Sequence, residues 1–281
     1  MSPAAGIREE LAALLAEGDL LVLGARAAAR RPSPGVGFLE DSARRGAAEA
    51  APETMPRWID VAPEGDLEGM CRALGQLRRR FPQAHLHGLT PAWLSRQPAE
   101  AASRLVASGL GTLALYTGPL SGECPYSEGW VGLLDTDIPK VGCVVYGPED
   151  PAEAIVERLM VLSRARGLKT VLCLPAAPGD LMLVRGATTD GNLDMRVLSV
   201  ARLALPVGVH VRASWGALGW KVAQVALAFG ADELAGFGLE ERLTYLPRTR
   251  PASIVEREEV LAGIREALLD VVEVHSCDWA S

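Results

Sequence analysis

The chain has 281 residues, a length that fits one large domain and lets folding bury roughly three quarters of the unfolded surface. Its 49% hydrophobic content and mean hydropathy of +0.15 exclude intrinsic disorder, and no stretch reaches the roughly 20 apolar residues that cross a bilayer. A net charge of -7 with a pI near 5.3 argues against a nucleic-acid-binding protein, which would carry a concentrated basic surface.

Two helical segments open the chain, Ile7 to Ala16 and Asp19 to Ala29, and they precede the first strand-like run. The opening residues place the mixed charges of Arg8, Glu9 and Glu10 ahead of the apolar stretch, where a secretory signal peptide has a positive segment, so we expect a cytoplasmic protein. We expect the two helices to form an extension over residues 1–34, followed by a βα domain over residues 35–281.

Short β-branched or apolar runs alternate with longer segments of helical period along the rest of the chain. This alternation predicts a parallel sheet covered by helices. Eight such runs favour an α/β fold of the (βα)8 TIM-like barrel type, with an open doubly wound sheet as the alternative. The predicted strands are Gly35 to Leu39, Trp58 to Ala62, Ala84 to Leu89, Gly111 to Tyr116, Val141 to Tyr146, Lys169 to Leu174, Gly208 to Ala213 and Ala231 to Ala235.

Several helices carry start and stop signals in the sequence. Asp150 and Glu153 have the spacing of a capping box, with Pro151 at the first helical position. Another apolar stripe predicts a helix from Leu218 to Phe229, which Gly230 should end.

The cysteines suggest neither a disulfide framework nor a zinc ribbon. They are odd in number, and no two lie closer than about twenty residues apart. We therefore interpret them as free thiols, two of which lie on predicted strands as small buried residues. They are Cys71, Cys124, Cys143, Cys173 and Cys277.

Two histidines lie close together on the third predicted strand. His85 and His87 are two residues apart, so both side chains point to one face of the sheet. Such a pair can bind a metal, and His210 on the seventh predicted strand could add a third nitrogen for a metal-activated water. Hydrogen-bonded histidines without a metal are the favoured alternative, because this spacing is unspecific.

Polar side chains continue along the seventh predicted strand, where Arg212 and Ser214 follow at alternate positions toward the carboxyl end. Barrels bind their ligands at that end. Trp215 at the strand's exit could stack on a planar ligand or pack into the core. Tyr146 ends the fifth predicted strand and Glu241 follows the eighth, so both could also face the ligand-binding end. The candidate ligand-binding residues are therefore His85, His87, Tyr146, His210, Arg212, Ser214, Trp215 and Glu241.

Four stretches of the chain resemble one enzyme family in the same order. The longest runs from Asp194 to Glu241, and the shorter ones are EGDLLVLGARA, FPQAHLHGLTP and VVYGPEDPAEAIVERLMVL. They resemble radical S-adenosylmethionine (SAM) enzymes of menaquinone biosynthesis, namely aminofutalosine synthase and dehypoxanthine futalosine cyclase, and the related deazaflavin (FO) synthases. The resemblance implies a barrel that either binds a small molecule or supports a partner enzyme of the menaquinone pathway.

The chain departs from this family where the iron-sulfur cluster binds. The family's C-x-x-x-C-x-x-C loop follows the first strand, but the segment between Phe38 and Trp58 contains no cysteine. We therefore expect a divergent homologue with no iron-sulfur cluster and doubtful SAM binding. Two other hypotheses stay open, a metal-dependent or metal-free barrel enzyme that uses His85 and His87, and a purely structural subunit.

Overall fold

The computed structural model describes residues 3–39, 58–62, 65–89, 91–117, 133–175, 189–236 and 255–274. The strands in these ranges are β1 (Gly35–Leu39), β2 (Trp58–Val61), β3 (His85–Gly88), β4 (Thr112–Thr117), β5 (Lys140–Tyr146), β6 (Leu168–Pro175), β7 (His210–Ser214), β8 (Glu233–Ala235) and β9 (Asp270–Glu273). All eight predicted strands are therefore present, and β9 was not predicted.

The helices of the same ranges follow the predicted alternation with the strands. They are α1 (Pro3–Glu17), α2 (Leu20–Ala29), α3 (Leu67–Arg80), α4 (Pro91–Leu94), α5 (Ala101–Ala107), α6 (Ala152–Leu162), α7 (Gly191–Ala204), α8 (Trp215–Leu218), α9 (Trp220–Ala226) and α10 (Arg257–Glu266), with a 3-10 turn at Leu227–Phe229. Among these described helices, none has the length and apolarity that crossing a bilayer requires.

The strands form one curled, parallel sheet in the order β2-β3-β4-β5-β6-β7-β8-β1-β9. The predicted α/β class and parallel sheet are confirmed, but the closed (βα)8 barrel is not. A strand has two edges, and β1 uses one to pair with β8 and the other to pair with β9. No edge of β1 is left for β2, so the described sheet is an open, TIM-like half-barrel with β2 and β9 at its borders.

The register of the strands shows which side chains face the interior of the curl. Arg212 of β7 pairs with Glu233 of β8, which in turn pairs with Gly37 of β1, so these positions share the inner face. A Cβ on Gly142 of β5 would meet Leu162 of α6, so that position faces the helices. The sheet therefore has an inner face and a helix-covered face, and each strand alternates between them.

The first two helices pack on the outside of the helical layer. Leu11, Leu15 and Leu23 are buried and belong to the same hydrophobic core as the sheet and its covering helices. Asp19 accepts a hydrogen bond from the Val22 amide at 2.9 Å and so caps α2. The predicted helical pair is thus present and shares the core of the βα fold.

Of two predicted helix signals, the start signal is wrong and the stop signal is confirmed. The capping box is wrong, since α6 begins after Pro151 and the Asp150 carboxylate instead accepts from Arg158 at 2.7 and 3.1 Å. The predicted stop at Gly230 is confirmed by its φ of 93°, a conformation that favours glycine. The helix before it is interrupted once, at Gly219 with a φ of 81°.

Candidate functional site

A layer of polar and aromatic side chains lies on the inner face of the sheet. Trp58 of β2 stacks on His85 of β3 with ring centroids 4.4 Å apart, and His87 lies 5.3 Å from the same indole. The guanidinium of Arg212, from β7, lies 5.2 Å from the Trp58 ring. The indole therefore connects β2 and β3 to β7 across the interior.

A threonine joins the two histidines of β3. Thr112 Oγ1, on the neighbouring strand β4, lies 2.9 Å from His85 Nε2 and 2.8 Å from His87 Nδ1. His87 and Thr112 are almost completely buried, whereas His85 is half-buried. The pairing of His87 with Thr112 in the β3–β4 register produces this contact.

Acidic side chains complete the inner layer. Arg212 Nε donates to Glu233 Oε2 at 2.9 Å, and both side chains are buried. The other carboxylate oxygen, Glu233 Oε1, is buried and has no hydrogen-bond partner among the described residues. Asp60 accepts from the Trp58 indole nitrogen at 3.0 Å. The interior thus offers a guanidinium, two imidazoles and two carboxylates within one connected group, which we call the inner polar layer (Trp58, Asp60, His85, His87, Thr112, Arg212 and Glu233).

A second buried network lies at the amino ends of β7 and β8. The Asp232 carboxylate accepts from Arg202 at 2.5 Å, from the Val211 amide at 2.7 Å and bonds His210 Nδ1 at 3.0 Å. Arg202, on α7, also donates to the carbonyls of Val209 and Gly230. We call this group the amino-end network.

The predicted metal site is not assembled in the described residues. His210 belongs to the amino-end network, while His85 and His87 belong to the inner polar layer. Across the described part of the chain, no group of three or more His, Cys, Asp or Glu side chains is arranged to hold a metal ion. The described residues therefore do not bring the three histidines together, and a metal site that uses them stays a prediction.

Three other predicted ligand residues lie apart from the inner polar layer. Tyr146 points to the helices, where its hydroxyl donates to Asp194 of α7 at 2.7 Å. Ser214 donates to the Gly236 carbonyl and caps α8. Trp215 is buried against Phe38, with ring centroids 6.1 Å apart, so it packs in the core. Glu241 lies outside the described residues.

Four residues of the layer were not predicted, namely Trp58, Asp60, Thr112 and Glu233. Trp58 and Asp60 are two residues apart on β2, the same spacing as the two histidines on β3. That repeated spacing is a signal in the sequence that could have identified them. Thr112 and Glu233 carry no such signal, since each is the first residue of its strand.

The donor set does not fit the cluster of a radical SAM enzyme. Three thiolates on one loop are needed, and the sequence between β1 and β2 has no cysteine. The described cysteines lie on separate elements, Cys71 on α3, Cys143 on β5 and Cys173 on β6. Burial raises the pKa of the Cys173 thiol to about 12, which disfavours the thiolate form.

Solved structures define the class of fold. The chain is similar to methylornithine synthase (PylB), with a TM-score of 0.58 over 97% of this chain and 91% of that one. It is also similar to HydG, a maturase of the [FeFe]-hydrogenase, with a TM-score of 0.63 over 96% of this chain and 76% of that one. Both are radical SAM enzymes, and at 11% identity each likeness shows the fold alone.

Curated sequences give more particular relatives. The chain is 25% identical over 237 residues to 5-amino-6-(D-ribitylamino)uracil--L-tyrosine 4-hydroxyphenyl transferase 1 of Methanosarcina barkeri, covering 72% of this chain and 63% of that protein. It is 29% identical over 230 residues to the corresponding transferase of Methanothermobacter thermautotrophicus, covering 71% and 61%. The chain thus spans about six-tenths of the length of these relatives.

These comparisons confirm the coarser part of the sequence resemblance. The relatives belong to the radical SAM enzymes, as the resemblance implied, but their names do not refer to the futalosine pathway. No known protein-family signature matches the chain.

Proposed function

We propose that this protein is a divergent barrel of radical SAM type that binds a small polar molecule at its inner polar layer and carries no iron-sulfur cluster. One observation carries the proposal. The inner face keeps a connected set of buried ionisable side chains, while the segment that would hold the cluster has no cysteine.

Desolvation supports a role for the inner polar layer in binding. Burying a guanidinium and a carboxylate costs free energy that one ion pair does not always offset. Arg212 and Glu233 are almost completely buried, and no described residue hydrogen-bonds Glu233 Oε1. A bound molecule that donates a hydrogen bond in this region would offset part of that cost.

The relatives narrow the choice of ligand. Their names refer to 5-amino-6-(D-ribitylamino)uracil and L-tyrosine, two polar molecules with planar rings. Imidazole, guanidinium and carboxylate groups supply the donors and acceptors that such rings require. We propose a ligand of this kind. Futalosine-type nucleosides are the alternative ligands. They would be expected if the protein acts in the menaquinone pathway with a partner enzyme from that pathway.

Calorimetric titration tests the proposal. The purified chain would be titrated with 5-amino-6-(D-ribitylamino)uracil, L-tyrosine, futalosine and SAM. We expect one of the first three to bind, and His87→Gln to weaken its binding at least about tenfold. His210→Gln is the matched control, since it removes a buried histidine of the amino-end network and should leave the affinity unchanged. Absence of binding by the first three compounds would contradict the proposal.

A second candidate function is a metal-free barrel enzyme that uses the same histidines. The specific observation in its favour is the hydrogen-bonded contact of His85 and His87 with one hydroxyl. A turnover assay with the bound ligand in the presence of EDTA would test it. Loss of turnover with the chelator would contradict a metal-free reaction.

A further inference from the structure

The shared hydroxyl of Thr112 restricts the protonation of both histidines. A threonine hydroxyl has one proton to donate and lone pairs to accept with. Its contacts to His85 Nε2 and His87 Nδ1 are both of hydrogen-bond length, and Thr112 is 1% exposed. If both imidazoles donated to it, its own buried proton would have no acceptor among these contacts, at a cost of about 1–3 kcal/mol.

One imidazole therefore donates to Thr112 and the other accepts from it. His85 uses its Nε2 atom and His87 uses its Nδ1 atom, so the two neutral rings must carry the same tautomer. When His85 Nε2–H donates, Thr112 donates to His87 Nδ1, and both rings are protonated at Nε2. In the reverse direction both rings are protonated at Nδ1.

We propose that His85, Thr112 and His87 form a proton relay between the half-buried side of β3 and a molecule bound at the inner polar layer. In one step a proton arrives at His85 Nδ1, and the Nε2 proton of His85 moves to Thr112. The hydroxyl proton moves to His87 Nδ1, and His87 Nε2 releases its proton to the bound molecule. One proton is transferred, no electron is exchanged, and both tautomers change together.

The difference in burial between His85 and His87 gives the relay its direction. His87 is 0% exposed, whereas His85 is half-buried, so the relay joins a more accessible imidazole to one enclosed in the fold. The charged groups nearest to these rings in the inner polar layer act through Trp58, which contacts both imidazoles. Asp60 bonds the Trp58 indole nitrogen, and Arg212, paired with Glu233, lies over the indole ring. Such a relay suits acid–base chemistry at a nitrogen or oxygen atom of the ligand, and in this respect it rests on the proposed function.

Nitrogen NMR of labelled histidine tests the relay directly. The chain has only four histidines, His85, His87, His210 and His275, which His→Gln variants would assign. In the ligand-free protein at neutral pH, we expect His85 and His87 to show the same tautomer. Different tautomers in the folded protein would overturn the relay, and this result requires no variant.

Substitutions at two buried threonines sharpen the test. Thr112→Val should release the two rings from a common tautomer, and Thr112→Ser should keep it. Thr170→Val is the matched control, because the Thr170 hydroxyl is buried and makes no hydrogen bond to the residues that the structure describes. Unchanged tautomers in a folded Thr112→Val protein would overturn the relay. Because these spectra are recorded without ligand, their outcome is independent of the titration that tests the proposed function.

Discussion

Consecutive residues, Asp232 and Glu233, form two buried arginine pairs that differ in how completely they are hydrogen-bonded. The Asp232 carboxylate has three partners, one each from α7, the β7 backbone and His210. The Glu233 carboxylate has Arg212 as its partner on one oxygen, and within the described part of the chain its other oxygen has no hydrogen bond. The first pair belongs to the amino-end network and the second to the inner polar layer.

This difference supports a structural role for the first pair and the proposed binding role for the second. Arg202 and Asp232 satisfy each other and several backbone groups, so they fasten α7 to the amino ends of two strands. Burial lowers the pKa of Arg202, and the charge of Asp232 opposes that effect. Glu233 stays incompletely satisfied inside the curl, which is a cost that protein stability alone does not explain. Functional groups are commonly held in this state.

The largest expected effect is on the amino-end network. Asp232→Asn removes the charge that compensates the fully buried Arg202, and we expect it to destabilise the fold by about 3–5 kcal/mol. Urea unfolding followed by circular dichroism would measure this change. A loss below about 1 kcal/mol would show that the network does not fasten the helix to the sheet.

A somewhat smaller effect is expected at Lys140, a buried residue on the helix-covered face. Its ammonium group donates to the carbonyls of Thr136, Ile138 and Arg166 at 2.6, 2.6 and 2.7 Å. Lys140→Met would leave three carbonyls without this donor, and we expect a loss of about 2–4 kcal/mol in the free energy of unfolding. Lys221→Met, at an exposed position of α9, serves as a surface control, and equal losses for the two variants would contradict the prediction.

Replacing the acid of the inner pair should cost less. Glu233→Gln keeps an acceptor for Arg212 and leaves its guanidinium over Trp58, so we expect a loss of about 1–2 kcal/mol. The same unfolding experiment would compare it with Asp232→Asn. Equal costs for the two substitutions would remove the distinction between the two pairs.

The smallest effect concerns the cysteines. Because burial raises the pKa of Cys173 to about 12, this residue should not react with iodoacetamide in the folded protein at pH 8. Cys71 is less buried and should react first of the two. Peptide mapping by mass spectrometry would measure both, with denatured protein as the control. Labelling of native Cys173 at the same rate as Cys71 would show that the Cys173 side chain is accessible to solvent.

The alternation of strands with helices could be predicted from the sequence. The α/β class and the shared face of His85 and His87 follow from it. The face of the sheet to which Tyr146 points could not be predicted, because β5 is apolar at nearly every position and such a strand shows no alternation. The sequence left open, for a related reason, whether Trp215 stacks on a ligand or packs in the core. Its stacking on Phe38 depends on the packing of a strand far away in the sequence.

Sheet closure and the membership of the inner polar layer depend on the same long-range register. The pairing of β1 with β9 prevents β2 from pairing with β1. The short strand β9 begins and ends with an acidic residue, so its sequence does not resemble a buried strand. Thr112 joins the histidines only because β4 pairs with β3 at that position. Local periodicity does not determine the register of strands that are distant in sequence.

The central claim, that the barrel keeps a polar interior without cluster chemistry, is tested most directly by anaerobic reconstitution. The purified chain would be incubated with iron and sulfide, desalted, and assayed for both elements and for 5′-deoxyadenosine after addition of SAM and a reductant. The account predicts no stoichiometric iron or sulfide and no 5′-deoxyadenosine, because no thiolate triad follows β1. Recovery of a four-iron cluster that cleaves SAM would contradict it.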